Sequence, residues 1–387
     1  MLPDVELTSL MTPLLLVDYE RLENNIKKMA EKARANGVNL RPHIKTHKCV
    51  EIGKMQIEHG ASGITVSTLD EAATFAKAGF EDIVYAVPIS SNKIEMAVDL
   101  ANKTRLKLLI DDRQNIAQLN QAAEKQGIDL EILLKVHCGY HRTGVNPRDP
   151  AAIKLAAEID DSRNLIFKGI LTHAGHSYDA TSIDQIKEIA QQEQSEMVKF
   201  SERLTAENPK LKPEVVSIGS TPTIALAGEI MDGITEVRPG NYVFYDYYQV
   251  ALGSCQTADC ALTAVAKVIG RYDDYFVTDA GATALSKDLG PTHLKETSYG
   301  KIYADYEKHE FDDNLHLYSL SQEHGKVKFK DTSKVERYRI NDEVRILPNH
   351  SCLTANLHDC YYIVKRGQVV DTWRIRRERV FTSPCLQ

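Results

Sequence analysis

Three short segments hold the side chains best suited to chemistry. The first is Arg41-Pro42-His43-Ile44-Lys45-Thr46-His47-Lys48. A short strand (Asn39–Ile44) leads into it and a helical pattern, CVEIGKMQIEHG, follows, so Lys45 belongs near the C-terminal end of a strand. A lysine partly desolvated there has a lowered pKa and can form an imine with an aldehyde cofactor, then act as a base. The plainer alternative is a solvated loop with two lysines and two histidines. The second segment is Gly219-Ser220-Thr221-Pro222-Thr223, a hydroxyl-rich turn with backbone N–H groups ahead of a helix. Such a turn suits a phosphate monoester, and Pro239-Gly240-Asn241 offers further backbone donors. Taken singly, each turn is equally explained by capping. The third segment is His350-Ser351-Cys352. On an extended backbone residues two apart leave the same face, and an imidazole with a thiolate suits Zn²⁺. Two protein ligands leave open positions, which a catalytic metal needs.

These segments need a scaffold that brings strand ends together. Apolar, β-branched runs occur at Leu14–Val17, Gly63–Ser67, Asp82–Val87, Leu106–Asp111, Glu131–His137, Leu165–His173 and Val215–Gly219. With shorter candidates at Asn39–Ile44 and Ile234–Val243 the count reaches eight or nine. Helical patterns separate them, among them RLENNIKKMAEKARANG and TLDEAATFAKAG, each ending in Gly, with Thr68 or Asp70 at the N-cap of the second. The alternation predicts an α/β fold with a parallel sheet covered on both faces, closed as a TIM-like (β/α)₈ barrel. An open dinucleotide-binding sheet is disfavoured, because no G-x-G-x-x-G follows the first strand. Near residue 250 the pattern changes to alternating segments such as CALTAVAKVIGRYDDYFVTDAG, DEVRILPN and CYYIVKRGQVVDTWRIR, with Arg366-Gly367 as a hairpin tip. The expected organisation is therefore a barrel over 12–250 and an antiparallel β domain over 251–387, which residues 1–11 join. The acidic stretch Asp305–Asp313 and Cys385 belong to no motif.

Composition narrows the function. Hydrophobic residues are 43%, charged residues 26% and the net charge is −7, so nothing favours nucleic acid or an anionic membrane as a partner. No run approaches the roughly 18 apolar residues of a membrane span, and the N-terminus lacks a basic and apolar leader. Seven scattered cysteines fit free thiols in a reducing cytoplasm.

RPHIKTHK, HRTGV, THAGHSY, GSTPT, RPGNYVFYD and PNHSC, in that order and spanning nearly the whole chain, resemble the D-threonine aldolase and D-serine dehydratase group of pyridoxal-phosphate (PLP) enzymes. Their barrel is of the alanine racemase type. The resemblance implies that Lys45 is the Schiff-base lysine and that Arg142 contacts the phenolic oxygen of the cofactor. It further implies that Tyr178, Ser220, Thr221, Gly240 and Asn241 hold ring and phosphate, with His173 close to the ring. It also supports His350 and Cys352 as metal ligands, since aldolase relatives tend to carry His-x-Asp there and D-serine dehydratases His-x-Cys. His358, Asp359 and Cys360 are then structural neighbours.

The implied activity is that of a PLP- and zinc-dependent D-serine dehydratase, in which Lys45 removes the α-proton and the metal activates the β-hydroxyl as leaving group. Another divalent ion in place of Zn²⁺ is compatible with the same ligands. D-Threonine aldolase and D-threo-3-hydroxyaspartate dehydratase are the alternatives with the same cofactors, and a non-catalytic PLP-binding protein is the alternative from another class. By analogy the enzyme is a homodimer acting on a small D-amino acid.

Overall fold

The computed structural model describes residues 10–295 and 297–378. Cys385 and residues 1–9 of the N-terminal segment expected to join the β domain lie outside them. In chain order the first nine strands are β1 (Leu14–Asp18), β2 (Asn39–Leu40), β3 (Ile64–Val66), β4 (Asp82–Pro88), β5 (Arg105–Ile110), β6 (Leu130–Lys135), β7 (Leu165–Leu171), β8 (Val215–Ile218) and β9 (Glu236–Val237). They are followed by β10 (Leu262–Arg271), β11 (Tyr275–Thr278), β12 (Lys301–Asp305), β13 (Glu310–Phe311), β14 (Leu315–Leu320), β15 (Gly325–Phe329), β16 (Glu343–Leu347), β17 (Cys360–Lys365) and β18 (Gln368–Arg374). The described residues divide into two compact units, one holding 10–28, 46–51 and 241–375, the other 29–45, 52–240 and 376–378. The change of pattern near residue 250 suggested a single division, whereas the chain passes between the units several times.

The second unit is the expected barrel. Its eight parallel strands run in the order β2-β9-β8-β7-β6-β5-β4-β3. A parallel bridge between His43 and Thr65, with Thr65 N–H donating to Pro42 O at 2.8 Å, joins β2 to β3 and closes the ring. Helices follow the strands as the apolar periodicity requires. Thr68 caps helix Leu69–Lys77 and forms a capping box with Glu71, while Asp70 lies in the first turn. The inner face departs from the aliphatic layers usual in such barrels. Arg41, Lys107 and Glu236 are buried. Arg41 Nε meets Glu236 at 2.6 Å, and Arg41 Nη1 and Lys107 Nζ meet Asp82 at 2.8 and 2.6 Å.

The other unit is built on a ten-stranded sheet ordered β13-β12-β16-β10-β1-β17-β18, with β11, β15 and β14 continuing from β10. One expectation is corrected here. β1, counted among the barrel candidates, pairs antiparallel with β10 and parallel with β17. Leu14, Leu15, Leu16 and Val17 are all buried, and a wholly apolar run carries no alternation to say which sheet it enters. Without it the barrel closes on eight strands. The expected hairpin tip is present: Arg366 (φ 51°) and Gly367 (φ 79°) make a two-residue turn between the paired Lys365 and Gln368. The stretch Asp305–Asp313 proves to be local scaffolding. Asp305 accepts from Lys308 N–H and Nζ at 3.1 and 2.8 Å, and Asp312 from the Tyr338 hydroxyl at 2.7 Å.

Candidate active site

In the barrel unit the predicted residues lie beyond the C-terminal ends of the strands, the end where chemistry collects in this architecture. Lys45 is half-buried in the 3₁₀ turn Ile44–Thr46 after β2. Its charge is felt by two imidazoles. His43 is held well below the usual histidine range by burial first, then by Lys45, Arg238 and His173. His173 is likewise held well below that range by burial, then by Lys45 and Lys135. His173 Nδ1 donates to Gly219 O at 3.2 Å, which leaves Nε2 as an acceptor. Both rings are neutral at pH 7. His43 was missed as a site residue, although it lies within a quoted motif.

Arg142 is exposed on the loop after β6, its guanidinium 5.1 Å from the centroid of the Tyr140 ring. Tyr140 meets His173 edge-on at 6.3 Å. The loop is anchored by Gly144 N–H to Asp111 Oδ2 at 2.9 Å and by Val145 N–H to Lys135 O at 2.9 Å. Tyr178 is half-buried in the 3₁₀ turn Gly175–Asp179. Ser220 and Thr221 are buried. The Ser220 hydroxyl caps the helix Thr221–Leu226 and meets Ser177 Oγ at 2.9 Å, and Gly240 N–H donates to Thr221 Oγ1 at 3.3 Å. These hydroxyls shape the turn, so its outward donors are chiefly backbone groups.

Glu193 ties these loops together, and no motif reveals it. Its fully buried Oε1 accepts from Ala174 N–H at 3.0 Å and from Gly219 N–H at 3.1 Å. The one sequence signal is a glutamate on the apolar face of helix Ile183–Glu207, among Ile186, Ile189, Ala190 and Met197. Below the mouth Arg238 donates to Ser217 Oγ, Ile218 O and Thr172 O. Burial pulls Arg238 down to about 10. Lys135, at the end of β6, is pulled down to about 7 by burial, then by Arg238.

This set fits PLP. A half-buried amine sits beside two neutral imidazoles, and His43 Nδ1 is buried without a partner among the described residues. The Gly219–Thr221 turn offers the cradle expected for the phosphate, and Arg142 a fixed positive charge.

In the other unit the structure brings together Asn241, His350 and Cys352. Asn241 was expected among the positions that hold ring and phosphate; its side chain donates to Asp246 Oδ2 at 2.5 Å and Ser351 Oγ at 3.0 Å. His350 and Cys352 do not share an extended strand, which corrects the reason given for pairing them. β16 ends at Leu347, His350 is extended (φ −136°, ψ 97°), and helix Ser351–Ala355 begins immediately after it. The helix starts there because Asp246 Oδ2 captures Ser351 N–H at 2.9 Å. The ring and thiol still meet within hydrogen-bonding reach. Burial would lower the His350 pKa, but Cys352, Asp288 and Asp246 carry it well above the ordinary value.

Asp288 Oδ2 lies 3.2 Å from His350 Nδ1, the outer carboxylate that commonly orients a metal-binding imidazole. Cys352 Sγ donates to Thr46 Oγ1 at 3.3 Å. An imidazole oriented by a carboxylate and an adjacent thiol fit a divalent ion of borderline softness. No group of three or more His, Cys, Asp or Glu among the described residues forms a closed site. His358 is engaged with Ala284 O at 2.9 Å.

Residues 17–248 match the family model for the alanine racemase N-terminal domain, and residues 261–364 that for a putative serine dehydratase domain. The chain is 34% identical to D-serine dehydratase of Dictyostelium discoideum, over 95% of this chain and 97% of that one. It is 36% identical to D-threo-3-hydroxyaspartate dehydratase of Delftia sp. strain HT23, over the same shares. The structure of the Delftia sp. HT23 dehydratase superposes with a TM-score of 0.91 at 33% identity, covering 97% of this chain and 100% of that one. A cysteine-to-alanine mutant of D-threo-3-hydroxyaspartate dehydratase, in the metal-free form, superposes equally well, with a TM-score of 0.91, 33% identity and the same coverage. The chain belongs to the family that joins an alanine racemase N-terminal domain to a serine dehydratase domain, as its motifs suggested.

Proposed function

We propose that this protein is a PLP- and zinc-dependent D-serine dehydratase, converting D-serine to pyruvate and ammonia. The observation that carries the reading is His350 in contact with the thiol of Cys352 and oriented by Asp288. That donor set supports expulsion of a hydroxyl, whereas the resemblance associates aldol cleavage with an aspartate in place of the cysteine. When bound, PLP supplies an electron sink for the α-carbon and the metal a Lewis acid for the β-oxygen. Lys45 would hold the cofactor, and its amine would serve as the base for the α-proton. The neutral His43 and His173 beside it add no competing positive charge. Arg142 keeps a cation on the loop after β6, and the Gly219–Thr221 turn, with Gly240, offers backbone donors to an anion. His350 and Cys352 would hold the ion, and Asp288 fixes the His350 imidazole through Nδ1.

Both named dehydratases support β-elimination, and the metal-free cysteine mutant supports a cysteine's part in metal binding. D-threo-3-Hydroxyaspartate is the second substrate reading, favoured by the 36% identity to its dehydratase. The same reading places the enzyme in the cytoplasm as a homodimer. The six cysteines among the described residues form no disulfide, in accord with the first part.

The test is product analysis with the PLP- and zinc-loaded protein. Pyruvate and ammonia from D-serine, with 2-oxobutyrate from D-threonine, are expected. Glycine and acetaldehyde from D-threonine would make it an aldolase. A strong preference for D-threo-3-hydroxyaspartate would move the assignment to that substrate. An intact yellow chromophore with no turnover of any of the three would leave a non-catalytic PLP protein. Full activity in protein shown to be metal-free would remove the metal.

A further inference from the structure

We propose that Thr46 is a positioning residue for the metal ion: its hydroxyl bonds to the sulfur of Cys352, fixes that ligand and limits the charge it gives to the ion. The proposal rests on reading His350 and Cys352 as metal ligands.

Thr46 ends the 3₁₀ turn Ile44–Thr46 and is buried, with 1% of its surface exposed. It belongs to the same compact unit as Cys352, the one that holds 46–51 and 241–375. A threonine in a tight turn commonly turns its hydroxyl onto a nearby backbone group. Thr46 does not. Among the described residues the one hydrogen-bond partner of its Oγ1 is Cys352 Sγ at 3.3 Å, 306 positions away in the chain. A thiol is a weak donor, so this contact offsets little of the cost of burying a hydroxyl. Valine has nearly the same shape and would occupy the position without that cost.

The hydroxyl is explained by the other state of the sulfur. A metal takes the thiolate rather than the thiol, and a thiolate has no proton to donate. A hydroxyl both donates and accepts, so the contact is kept when the Thr46 O–H turns to donate to the sulfur. A hydrogen bond to an ionised acceptor is roughly twice as strong as a neutral one. It fixes the direction of the sulfur and draws charge from it, which leaves the ion a stronger Lewis acid. Asn241 Nδ2, 3.8 Å from Cys352 Sγ, is a second and longer donor. Asp288 gives the imidazole its outer partner, and Thr46 is the counterpart for the thiolate.

The test titrates Co²⁺ into PLP-loaded full-length protein and reads the thiolate charge-transfer absorption by difference against the metal-free form. Thr46→Val is expected to weaken Co²⁺ binding by about 10–100-fold, the usual effect of losing an outer partner of a metal ligand. It is also expected to move the thiolate band to longer wavelength, because a sulfur without its donor gives up charge more readily. Thr46→Ser keeps the hydroxyl and is expected to keep the affinity and the band of wild type. Wild-type affinity and band position in Thr46→Val would overturn the proposal. Equal losses in Thr46→Ser and Thr46→Val would also overturn it, since they would trace the effect to packing of the methyl group. A loss of affinity with an unmoved band would do the same, as the mark of a distorted turn rather than a missing donor. If wild type shows no thiolate band, or Cys352→Ala keeps it, the metal reading falls and the proposal with it. Should circular dichroism show Thr46→Val unfolded, Thr46→Ala takes its place with the same expectations and the same refutations.

Discussion

At the end of β6 the chain buries an ammonium among Arg238, Arg142, Cys138 and Glu193, and the Lys135 pKa falls to about 7. An unfolded lysine titrates near 10.4, so between about pH 7 and 10.4 the unfolded chain holds a proton that the folded protein has released. The sign follows: this group makes its poorest contribution to stability below pH 7, and the contribution rises with pH across that window. In cofactor-free protein, Lys135→Met is therefore expected to stabilise most at pH 6.5 and progressively less by pH 9. Urea unfolding at the two pH values checks this, and an equal effect at both would show that Lys135 stays protonated throughout. At this scale the sequence singles out residues that sit in compact motifs, as Lys45, Arg142 and His350 do. Glu193 and Asp246 were illegible, because a buried carboxylate that gathers backbone N–H groups from distant loops needs no local pattern. Its partners come from Ala174 and Gly219 in one case and Ser351 in the other.

The loop that carries Arg142 depends on Gly144, whose φ of +111° L side chains rarely adopt. A Cβ there would lie 2.6 Å from the carbonyl carbon of Val136 and 2.7 Å from His137 N. Gly144→Ala must therefore move the loop off Asp111 Oδ2, at a cost of about 1–3 kcal/mol. The expected result is a lower urea midpoint together with weaker PLP binding in equilibrium titration; unchanged values of both would mean that the anchor does not position Arg142. Elements with strong local signals were readable, among them the capping box at Thr68–Glu71 and the two-residue turn at Arg366–Gly367. The turn around His350 was not. PNHSC reads equally as strand or helix start, and the choice falls to Asp246, over a hundred positions earlier in the chain.

For the barrel as a body, the charged girdle inside it is the feature with the largest consequence. Burial would raise the Asp82 pKa, but Arg41 and Lys107 overcome that and hold it below the ordinary value. A depressed folded pKa means that the contribution is fully present above about pH 4, the unfolded value, and is lost as pH falls through the folded value. Asp82→Asn leaves Arg41 and Lys107 buried with one carboxylate fewer, which is expected to cost about 3 kcal/mol at neutral pH and to flatten the acid limb of the stability profile. Chemical denaturation from neutral pH to pH 3 measures both, and a stability and acid limb like those of wild type would show that the girdle contributes little. By itself the sequence determined the βα alternation, the order of the motifs and the family, because these rest on periodicity and on residues close together in the chain. The tertiary structure decided that β1 joins the antiparallel sheet and that Glu193 and Asp246 hold the functional loops. It also decided that Asn241 turns to a carboxylate rather than outward. Each of these outcomes depends on which distant groups compete for the same buried donors and acceptors, and that competition takes place only once the chain has folded.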